Sequence, residues 1–210
     1  MGIPRPTAER LSRLAYLLEQ QASDNKPLTS AEMEQLTGWP SHTIRKDISV
    51  LGRASGIATK NGYPPRELAA AIRETLGFTE TEHNCCIVGL GRIGSAFLDY
   101  TAFNESPFTI RAGFDSNVNR IEILKAEFPL YPTFKMKDVI PRLDIRYAIL
   151  TVPPDQAAQA AEKLISCGIR GIVNFTPVIL PAPPGVEIEQ VSILDALGAV
   201  AARLATTTKE

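Results

Sequence analysis

Three glycines, Gly89, Gly91 and Gly94, have the spacing of a G-x-G-x-x-G phosphate-binding loop. The loop follows a short apolar run, Cys85–Val88, and opens a helical pattern in which apolar residues recur at Ile93, Ala96, Phe97 and Tyr100. In such a loop the first glycine permits a tight strand-to-helix turn, the second lets backbone approach a pyrophosphate, and the third lets helix and strand pack closely. Amides at the start of the helix can bind the phosphates. The pattern predicts a dinucleotide site at Gly89, Gly91, Arg92, Ile93 and Gly94.

An acidic residue follows this loop at the sequence spacing of the ribose-binding acid in dinucleotide sites. Asp115 ends a second apolar run, 21 residues beyond Gly94. A carboxylate there accepts hydrogen bonds from the adenine ribose hydroxyls and repels a 2′-phosphate. Ser116 and Asn117 follow and carry no cation, which favours NAD(H) over NADP(H), with Arg120 as the nearby cation that could offset this preference. The alternative is a glycine-rich turn that binds another nucleotide or none.

Two later apolar runs end in Val152-Pro153-Pro154 and in Asn174-Phe175-Thr176-Pro177. The carboxyl ends of strands line the ligand crevice in doubly wound folds. The alternative is ordinary turn chemistry, for which proline and asparagine are common choices. The residues predicted to line the nicotinamide half are Thr151, Val152, Pro153, Asn174, Phe175 and Thr176.

Apolar runs alternate with helical patterns through this part of the chain, which indicates βαβ units and a parallel sheet. We predict an α/β fold with a Rossmann doubly wound parallel-sheet domain over residues 84–191. The segment 192–210 contains an apolar helical pattern from Ile193 to about Ala205. A helix with so many apolar residues is expected to pack against another protein surface.

Residues 1–77 have the pattern of a winged helix-turn-helix domain. A capping box, Thr29 followed by Glu32, marks the start of one helix. The predicted elements are a helix over Thr7–Gln20, a second from Ser30 to near Gly38, a third with Ser41 as N-cap, a hairpin or wing from Gly52 to Tyr63, a helix from Pro64-Pro65 to Gly77, and a linker over residues 78–83.

The third predicted helix carries polar and basic side chains, as a helix that enters a DNA major groove does. Residues 41–66 hold five basic residues and one acidic residue, although the whole chain has a net charge of −1. That local excess could bind a polyanion. The alternative is a basic helix that is only a solvated face. The residues predicted to contact double-stranded DNA are Ser41, His42, Thr43, Arg45 and Lys46, with Lys60 on the wing.

The composition argues against membrane and metal-binding classes. No stretch approaches the roughly 18 apolar residues that span a bilayer, and the N-terminus has no apolar signal-peptide core. We therefore expect a cytoplasmic protein with no membrane partner. The three cysteines lack the spaced cysteine and histidine partners of a metal site, so we expect them in the core and no metal.

Four stretches together resemble the redox-sensing transcriptional repressors of the Rex family. They are Ile3–Thr7 leading to Arg10, Ile44–Ser49, Val88–Gly94 and Gly168–Val178. The resemblance spans nearly the whole chain. It implies a homodimer that binds a palindromic operator, senses the NADH/NAD+ ratio through its Rossmann domains, leaves the operator when NADH binds, and swaps its C-terminal helix into the partner.

The resemblance also implies switch residues, with two departures from the family pattern. Tyr100 matches the family tyrosine near the nicotinamide, and Arg10 matches the arginine of the first helix. Ser192 stands where family members usually have an aspartate that exchanges partners between that tyrosine and arginine; Asp195 is the carboxylate three residues on. The wing keeps only Gly62-Tyr63 of the family's Arg-Gly-x-Gly-Tyr run. A Rex-like repressor with a lost or altered redox response is therefore an alternative.

A second alternative is an NAD-dependent oxidoreductase, which would need a positioned acid or base. The two histidines, His42 and His83, fall on the predicted recognition helix and in the linker. Tyr131 and Lys135 have the Y-x-x-x-K spacing of short-chain dehydrogenases, but Pro132 disfavours the helix that this pair requires. We expect no enzyme, and a bound NAD(H) that acts as a signal.

Overall fold

The computed structural model describes residues 3–21, 26–52, 54–78 and 83–207. Residues 79–82 of the predicted linker 78–83, and Arg53 of the predicted wing, lie outside these ranges. The chain divides into two compact units, residues 1–81 and 82–210. No helix within the described ranges is long and apolar enough to cross a membrane.

The N-terminal unit is helical and has one apolar core. Its helices are α1 (Arg5–Gln20), α2 (Ser30–Thr37), α3 (Ser41–Ser49), α4 (Ala54–Ile57) and α5 (Pro65–Thr75). An ion pair between Glu19 on α1 and Arg73 on α5 joins the two helices. The aliphatic side chains buried together are Leu11, Leu14, Leu18, Met33, Ile44, Ile48, Leu51, Leu68 and Ile72.

The capping box at the start of α2 is confirmed. The Thr29 hydroxyl accepts from the Glu32 amide at 3.2 Å, and the Glu32 carboxylate accepts from the Thr29 amide at 2.7 Å. Helix α1 begins at Arg5, two residues before the predicted start, because Pro4 and Pro6 both fit the backbone of a first turn.

The prediction that Ser41 caps helix α3 is wrong. Pro40 is the N-cap, and Ser41 is the first helical residue. The Ser41 amide, which the helix itself cannot pair, donates to Glu34 Oε2 at 2.9 Å. A side chain of α2 therefore fixes the start of α3.

The segment after α4 forms a tight turn. The Thr59 amide donates to the Gly62 carbonyl at 2.8 Å, which places Lys60 at the exposed tip. Tyr63 then pairs with Leu28 in an antiparallel bridge. A Cβ atom at Gly62 would lie 2.4 Å from the Leu28 carbonyl oxygen, so this approach requires glycine.

The C-terminal unit contains a six-stranded parallel sheet in the order β3-β2-β1-β4-β5-β6. This confirms the predicted doubly wound fold, in which the order reverses between the first and fourth strands and leaves a crevice there. The strands are β1 (His83–Val88), β2 (Phe108–Asp115), β3 (Leu130–Pro132), β4 (Tyr147–Leu150), β5 (Gly171–Asn174) and β6 (Glu187–Gln190).

The sequence patterns missed the two edge strands, β3 and β6. Strand β3 has three residues and includes a proline, and β6 is polar at three of its four positions. Edge strands tolerate proline and exposed charge because one side of the strand has no neighbour. The apolar runs therefore marked only the four central strands.

Alternate side chains of the central strands enter two separate cores. Val88, Phe114 and Leu150 pack on one side of the sheet with residues of α8 (Met136–Arg142) and α9 (Pro154–Ser166). Ile87 and Ile149 pack on the other side, in a smaller core with Leu90 and Leu98. The alternation follows from the two-residue period of a strand.

The helices after β1 and β2 are short. Helix α6 covers only Arg92–Ser95, and a 3-10 turn follows at Thr101–Glu105; α7 covers Val118–Ile123. The helical pattern predicted to continue to Tyr100 is therefore wrong: Tyr100 precedes the 3-10 turn in extended backbone.

The C-terminal helix, α10 (Ile193–Thr207), lies exposed. Leu194 is 81% exposed and Leu204 is 64% exposed. Residues 193–206 are all exposed. Within the described part of this single chain, the apolar helix has no cover.

Candidate functional site

The glycine loop has the geometry of a close strand-to-helix turn. Gly89 has a φ of 89°, a left-handed value that favours glycine. A Cβ atom at Gly94 would lie 1.8 Å from the Gly89 carbonyl oxygen. The Thr151 hydroxyl donates to that carbonyl at 2.6 Å, which ties the loop to the end of β4. Gly91 differs, since a Cβ atom there would meet no described atom within 4 Å.

The three glycines of the loop therefore have different roles. Gly89 and Gly94 are required by the fold of the loop, whereas Gly91 leaves open space beside the backbone. Because α6 has only four residues, a pyrophosphate in that space would depend on nearby amides more than on a helix dipole.

Asp115 is held firmly at the end of β2, where it is 3% exposed. Its Oδ2 accepts from the Leu90 amide at 2.6 Å and from Arg120 Nη1 at 2.9 Å. Its Oδ1 accepts from the Asn117 amide at 2.7 Å. The carboxylate therefore supports the loop as well as facing the crevice.

A cleft of about 770 Å³ brings most of the predicted cofactor residues together. This volume is in the usual range for small-molecule sites. The cleft also contains residues that no motif predicted, which lie on α9 and before α8: Thr133, Gln156, Gln159 and Lys163. The predicted residues that line it are Gly89, Gly91, Arg92, Ile93, Asp115, Thr151, Val152 and Pro153.

Asn174 and Thr176 do not line this cleft but hold the loop after β5. The Asn174 amide nitrogen donates to the Val178 carbonyl and to Gln190 Oε1, both at 2.8 Å. Its oxygen accepts from the Thr176 amide at 3.0 Å and from the Thr176 hydroxyl at 2.8 Å. These four bonds fill the capacity of the Asn174 side chain. Asn174 therefore shapes the loop after β5. Its contact with the cofactor stays a prediction.

Tyr100 and Phe175 belong to one aromatic cluster outside the cleft. Phe97 contacts both, with ring centroids 6.0 Å from Tyr100 and 5.5 Å from Phe175. Tyr100 is 54% exposed and also lines a second cavity, of about 1010 Å³. The cluster joins the end of β5 to the segment after the glycine loop.

Helix α3 separates its apolar and polar faces as predicted. Ile44 and Ile48 are buried, whereas His42, Arg45 and Lys46 are exposed. The two further residues predicted to contact DNA, Ser41 and Thr43, are partly exposed. Arg45 also donates to the hydroxyl of Ser30 on α2 at 2.7 Å. The basic face of α3 is therefore available to a ligand.

Sequence patterns did not predict the partner of Arg10. Its guanidinium donates to both oxygens of Asp47 on α3, at 2.6 and 2.8 Å, and Thr7 donates to the same carboxylate at 3.2 Å. The hydrogen bond to Asp47 raises the pKa of Arg10 above its ordinary value. The Asp47 side chain is 6% exposed and that of Arg10 is 30% exposed, and their ion pair joins α1 to α3.

Ser192 takes part in a local contact at the start of α10. Its hydroxyl accepts from the Asp195 amide at 3.1 Å. This is the contact of an N-cap residue. Ser192, at the position where the resemblance implies an aspartate, thus starts the C-terminal helix, and Asp195 lies in the first turn.

The two cysteines and the histidine of strand β1, Cys85, Cys86 and His83, are buried. Burial raises the pKa of Cys85 to about 12 and that of Cys86 further still, which keeps both thiols protonated at neutral pH. His83 is buried against the rings of Phe108 and Tyr147. Over the described residues, no three or more histidine, cysteine or acidic side chains form a group that could hold a metal.

The Y-x-x-x-K pair is not on one helix. Tyr131 belongs to strand β3, and Lys135 ends a 3-10 turn. A short-chain dehydrogenase pair needs both side chains on the same face of a helix, so this geometry disfavours that reading.

Comparisons with known proteins agree with the two-part organisation. The family model "CoA binding domain" matches residues 80–178, and the family model "Putative DNA-binding protein N-terminus" matches residues 2–49. The redox-sensing transcriptional repressor Rex of Bacillus licheniformis is 34% identical over 91% of this chain and 88% of its own length. The Rex protein of Clostridium perfringens strain SM101 is 30% identical over 93% and 92%.

Solved structures of a Rex-family repressor, RSP, extend over nearly the whole chain. The structure of RSP in complex with β-NADH has a TM-score of 0.83 at 30% identity and covers 99% of this chain and 97% of that one. The complex with β-NAD+ and operator DNA has a TM-score of 0.81 at 31% identity, with coverage of 99% and 95%.

Proposed function

We propose that this chain, which belongs to the Rex family of redox-sensing transcriptional repressors, is a DNA-binding repressor that responds to the NADH/NAD+ ratio. One observation carries the proposal: a single chain combines a dinucleotide cleft built on Gly89–Gly94 with an exposed basic helix, α3. The RSP structures with NADH and with NAD+ plus operator DNA support the proposal that this chain binds both a nicotinamide dinucleotide and DNA.

The residues present fit NAD(H). Gly91 leaves room for the pyrophosphate, and Asp115 faces the cleft at the position where the adenosine ribose binds in Rossmann domains. Thr151, Val152 and Pro153 line the cleft at the end of β4, which supports their proposed contact with the nicotinamide half. Bound NAD(H) supplies a redox signal, because its two forms differ in charge and shape at the nicotinamide.

The working form is a homodimer. Helix α10 exposes Ile193, Leu194 and Leu204, and exposed apolar helices gain free energy by packing against another surface. A second copy of the chain provides that surface, and two-fold symmetry matches a palindromic operator. Analytical ultracentrifugation should show a dimer, and a chain ending at Val191 should sediment as a monomer.

The signal requires different affinities for two states. NADH must bind the DNA-incompetent dimer more tightly than the DNA-competent one, since equal affinity would shift no population. NADH binding thereby moves the two α3 helices out of register with the operator half-sites. The protein binds operator DNA on the chromosome, so we expect it in the cytoplasm.

The test is a DNA-binding titration. A duplex selected from random DNA by the purified protein in NAD+ is labelled, and anisotropy is followed at fixed salt as NADH or NAD+ is added. We expect NADH to weaken binding and NAD+ to maintain it. The same weakening by both nucleotides, or by neither, would contradict redox sensing.

A repressor with an altered redox response is a second candidate, favoured by two contacts. Arg10 is paired with Asp47, and Ser192 caps α10. An uncharged hydroxyl cannot form the ion pair that the resemblance implies for this position. This candidate predicts operator binding that NADH changes little, although NADH still occupies the cleft. Restoring the family residue with Ser192→Asp should then increase the NADH response.

The bound nucleotide serves as a signal and undergoes no turnover. This part of the proposal is supported by the buried position of His83 and by the separate elements that carry Tyr131 and Lys135. The purified protein should oxidise no NADH in the presence of small carbonyl compounds, and steady turnover would contradict it.

A further inference from the structure

Strand β6 lies at the edge of the sheet and is joined to it by β5. The two strands pair in parallel from Gly171 with Glu187 to Asn174 with Gln190. Parallel neighbours are usually connected by a helix that crosses the sheet, but residues 175–186, all of which the structure describes, contain no helix. The position of β6 therefore depends on its hydrogen bonds to β5 and to the loop between the two strands.

The side chain of Gln190, the last residue of β6, makes two of these hydrogen bonds. Its Oε1 accepts from the Asn174 amide nitrogen at 2.8 Å, and its Nε2 donates to the Thr176 carbonyl at 2.5 Å. Asn174 and Thr176 are both buried. These two bonds, which we call the Gln190 bridge, connect β6 to the residues on either side of Phe175. No sequence motif predicted a role for Gln190.

Phe175 connects the Gln190 bridge to the elements that line the nucleotide cleft. Its ring packs against Phe97, with centroids 5.5 Å apart, and Phe97 lies three residues after Gly94 of the glycine loop. The Phe175 amide donates to the Leu150 carbonyl at 2.9 Å, and the next residue of that segment, Thr151, lines the cleft. A displacement of the glycine loop or of the end of β4 is therefore transmitted to Phe175 through direct contacts.

The other end of the Gln190 bridge is the start of α10. The Val191 amide donates to the Asn174 carbonyl at 2.9 Å, and Ser192 then caps the helix. Gln190 thus lies two residues before the cap of the helix that is proposed to form the dimer. Because these hydrogen bonds join the end of β6 to the loop after β5, the start of α10 follows the position of that loop.

We propose that Gln190 is a positioning residue that couples the nucleotide cleft to the C-terminal helix. When NADH binds, the loop after β5 moves with Phe175, and the Gln190 bridge transmits this displacement to Ser192 and α10. Contiguous hydrogen-bonded networks can provide coupling of this kind between two sites. The inference rests on the proposed function, because it names the contacts through which the same cleft acts on the dimer.

The test measures how operator binding by the full-length protein responds to saturating nucleotide. The response ratio is the dissociation constant for the selected duplex in NADH divided by that in NAD+, at fixed salt. Gln190→Ala removes both bonds of the Gln190 bridge and should lower this ratio by about threefold to thirtyfold, the usual effect of a residue within a coupling network. Nicotinamide fluorescence should give an NADH affinity within about threefold of wild type, since Gln190 is not among the described residues that line the cleft.

Two further variants make the test specific. Glu189→Ala truncates the neighbouring exposed side chain of β6, which points to the opposite side of the strand, and should leave the response ratio unchanged. Gln190→Glu keeps the size of the side chain and still accepts from Asn174, but it cannot donate to the Thr176 carbonyl. It should therefore lower the ratio as well. Urea unfolding establishes that each variant is folded and measures its stability.

The outcomes separate this inference from the proposed function. Folded Gln190→Ala and Gln190→Glu with the wild-type response ratio would show that Gln190 only holds the edge strand, and the inference would be wrong while the proposed function stands. A ratio that falls equally in Glu189→Ala would also overturn it, because the effect would not depend on the Gln190 bridge. If the wild-type protein binds its operator equally well with both nucleotides, the proposed function fails and the inference fails with it.

Discussion

A single methyl group added at Gly91 or at Gly94 should separate cofactor binding from folding within one loop. The two glycines are three residues apart, and the change Gly→Ala is chemically the same at both. At Gly91 the new Cβ atom meets no described atom within 4 Å. At Gly94 it would lie 1.8 Å from the carbonyl oxygen of Gly89 and 2.6 Å from the Thr151 hydroxyl.

The expected free energies of unfolding follow from these distances. Inserting a methyl group into a packed site typically costs about 1–3 kcal/mol. The clash at Gly94 is with backbone, which cannot rotate away, so we expect a loss of about 3 kcal/mol. Gly91 has an ordinary φ of −71°, and we expect its substitution to change stability by about 0.5 kcal/mol or less.

Gly91→Ala should weaken nucleotide binding, although it changes stability little. The methyl group fills the space through which the pyrophosphate approaches the backbone, and a loss of about 1.4 kcal/mol corresponds to tenfold weaker binding. Gly91→Ala should therefore bind NADH at least about tenfold more weakly than wild type.

Urea unfolding followed by far-UV circular dichroism measures the stabilities, and nicotinamide fluorescence measures NADH binding. Fluorescence of the single tryptophan, Trp39, reports on the N-terminal unit in the same titration. Wild-type NADH affinity in Gly91→Ala would refute the assignment of the open space to the pyrophosphate. Equal stability of the two variants would refute the reasoning from the clash at Gly94.

Three further predictions concern the rest of the molecule. Arg10→Ala leaves the buried Asp47 carboxylate without its ion pair and should lower the free energy of unfolding by about 1–3 kcal/mol, the usual cost of an unsatisfied buried group. Arg5→Ala breaks an exposed pair on the same helix and should cost less than about 1 kcal/mol. Urea unfolding followed by Trp39 fluorescence compares the two variants. Arg45→Ala or Lys46→Ala should weaken operator binding, and the one that contacts phosphate should reduce the slope of log affinity against log salt by about 1; no change in either variant would contradict the recognition-helix assignment. Because burial raises the pKa of Cys85 to about 12, its thiolate forms only well above neutral pH, and iodoacetamide at pH 8 should label this thiol after unfolding in urea but not before; rapid labelling of the folded protein would show that the thiol is accessible.

The features that sequence patterns predicted correctly depend on neighbouring residues. The glycine spacing gives the loop, the Thr29–Glu32 box gives the start of α2, and the apolar runs give the four central strands. Each depends on contacts over a few residues or on the period of one element, so the pattern is written locally. The resemblance added the family itself.

The errors near the loop have a physical cause. The helix after Gly94 was predicted to reach Tyr100 because apolar residues recur at helical spacing, yet α6 ends at Ser95. Phe97 and Tyr100 instead pack in an aromatic cluster with Phe175, a contact across 78 residues that no local period encodes.

The sequence by itself determined which residues form the glycine loop and which face of α3 is polar and basic, since both follow from spacing and polarity along single elements. Only the tertiary structure decided how charges are paired: Arg10 with Asp47 across 37 residues, and Arg120 with an Asp115 already bound to the amide of Leu90. Ion pairs and buried hydrogen bonds form between whichever groups the packed chain brings within about 3 Å, and that proximity is a property of the assembled core.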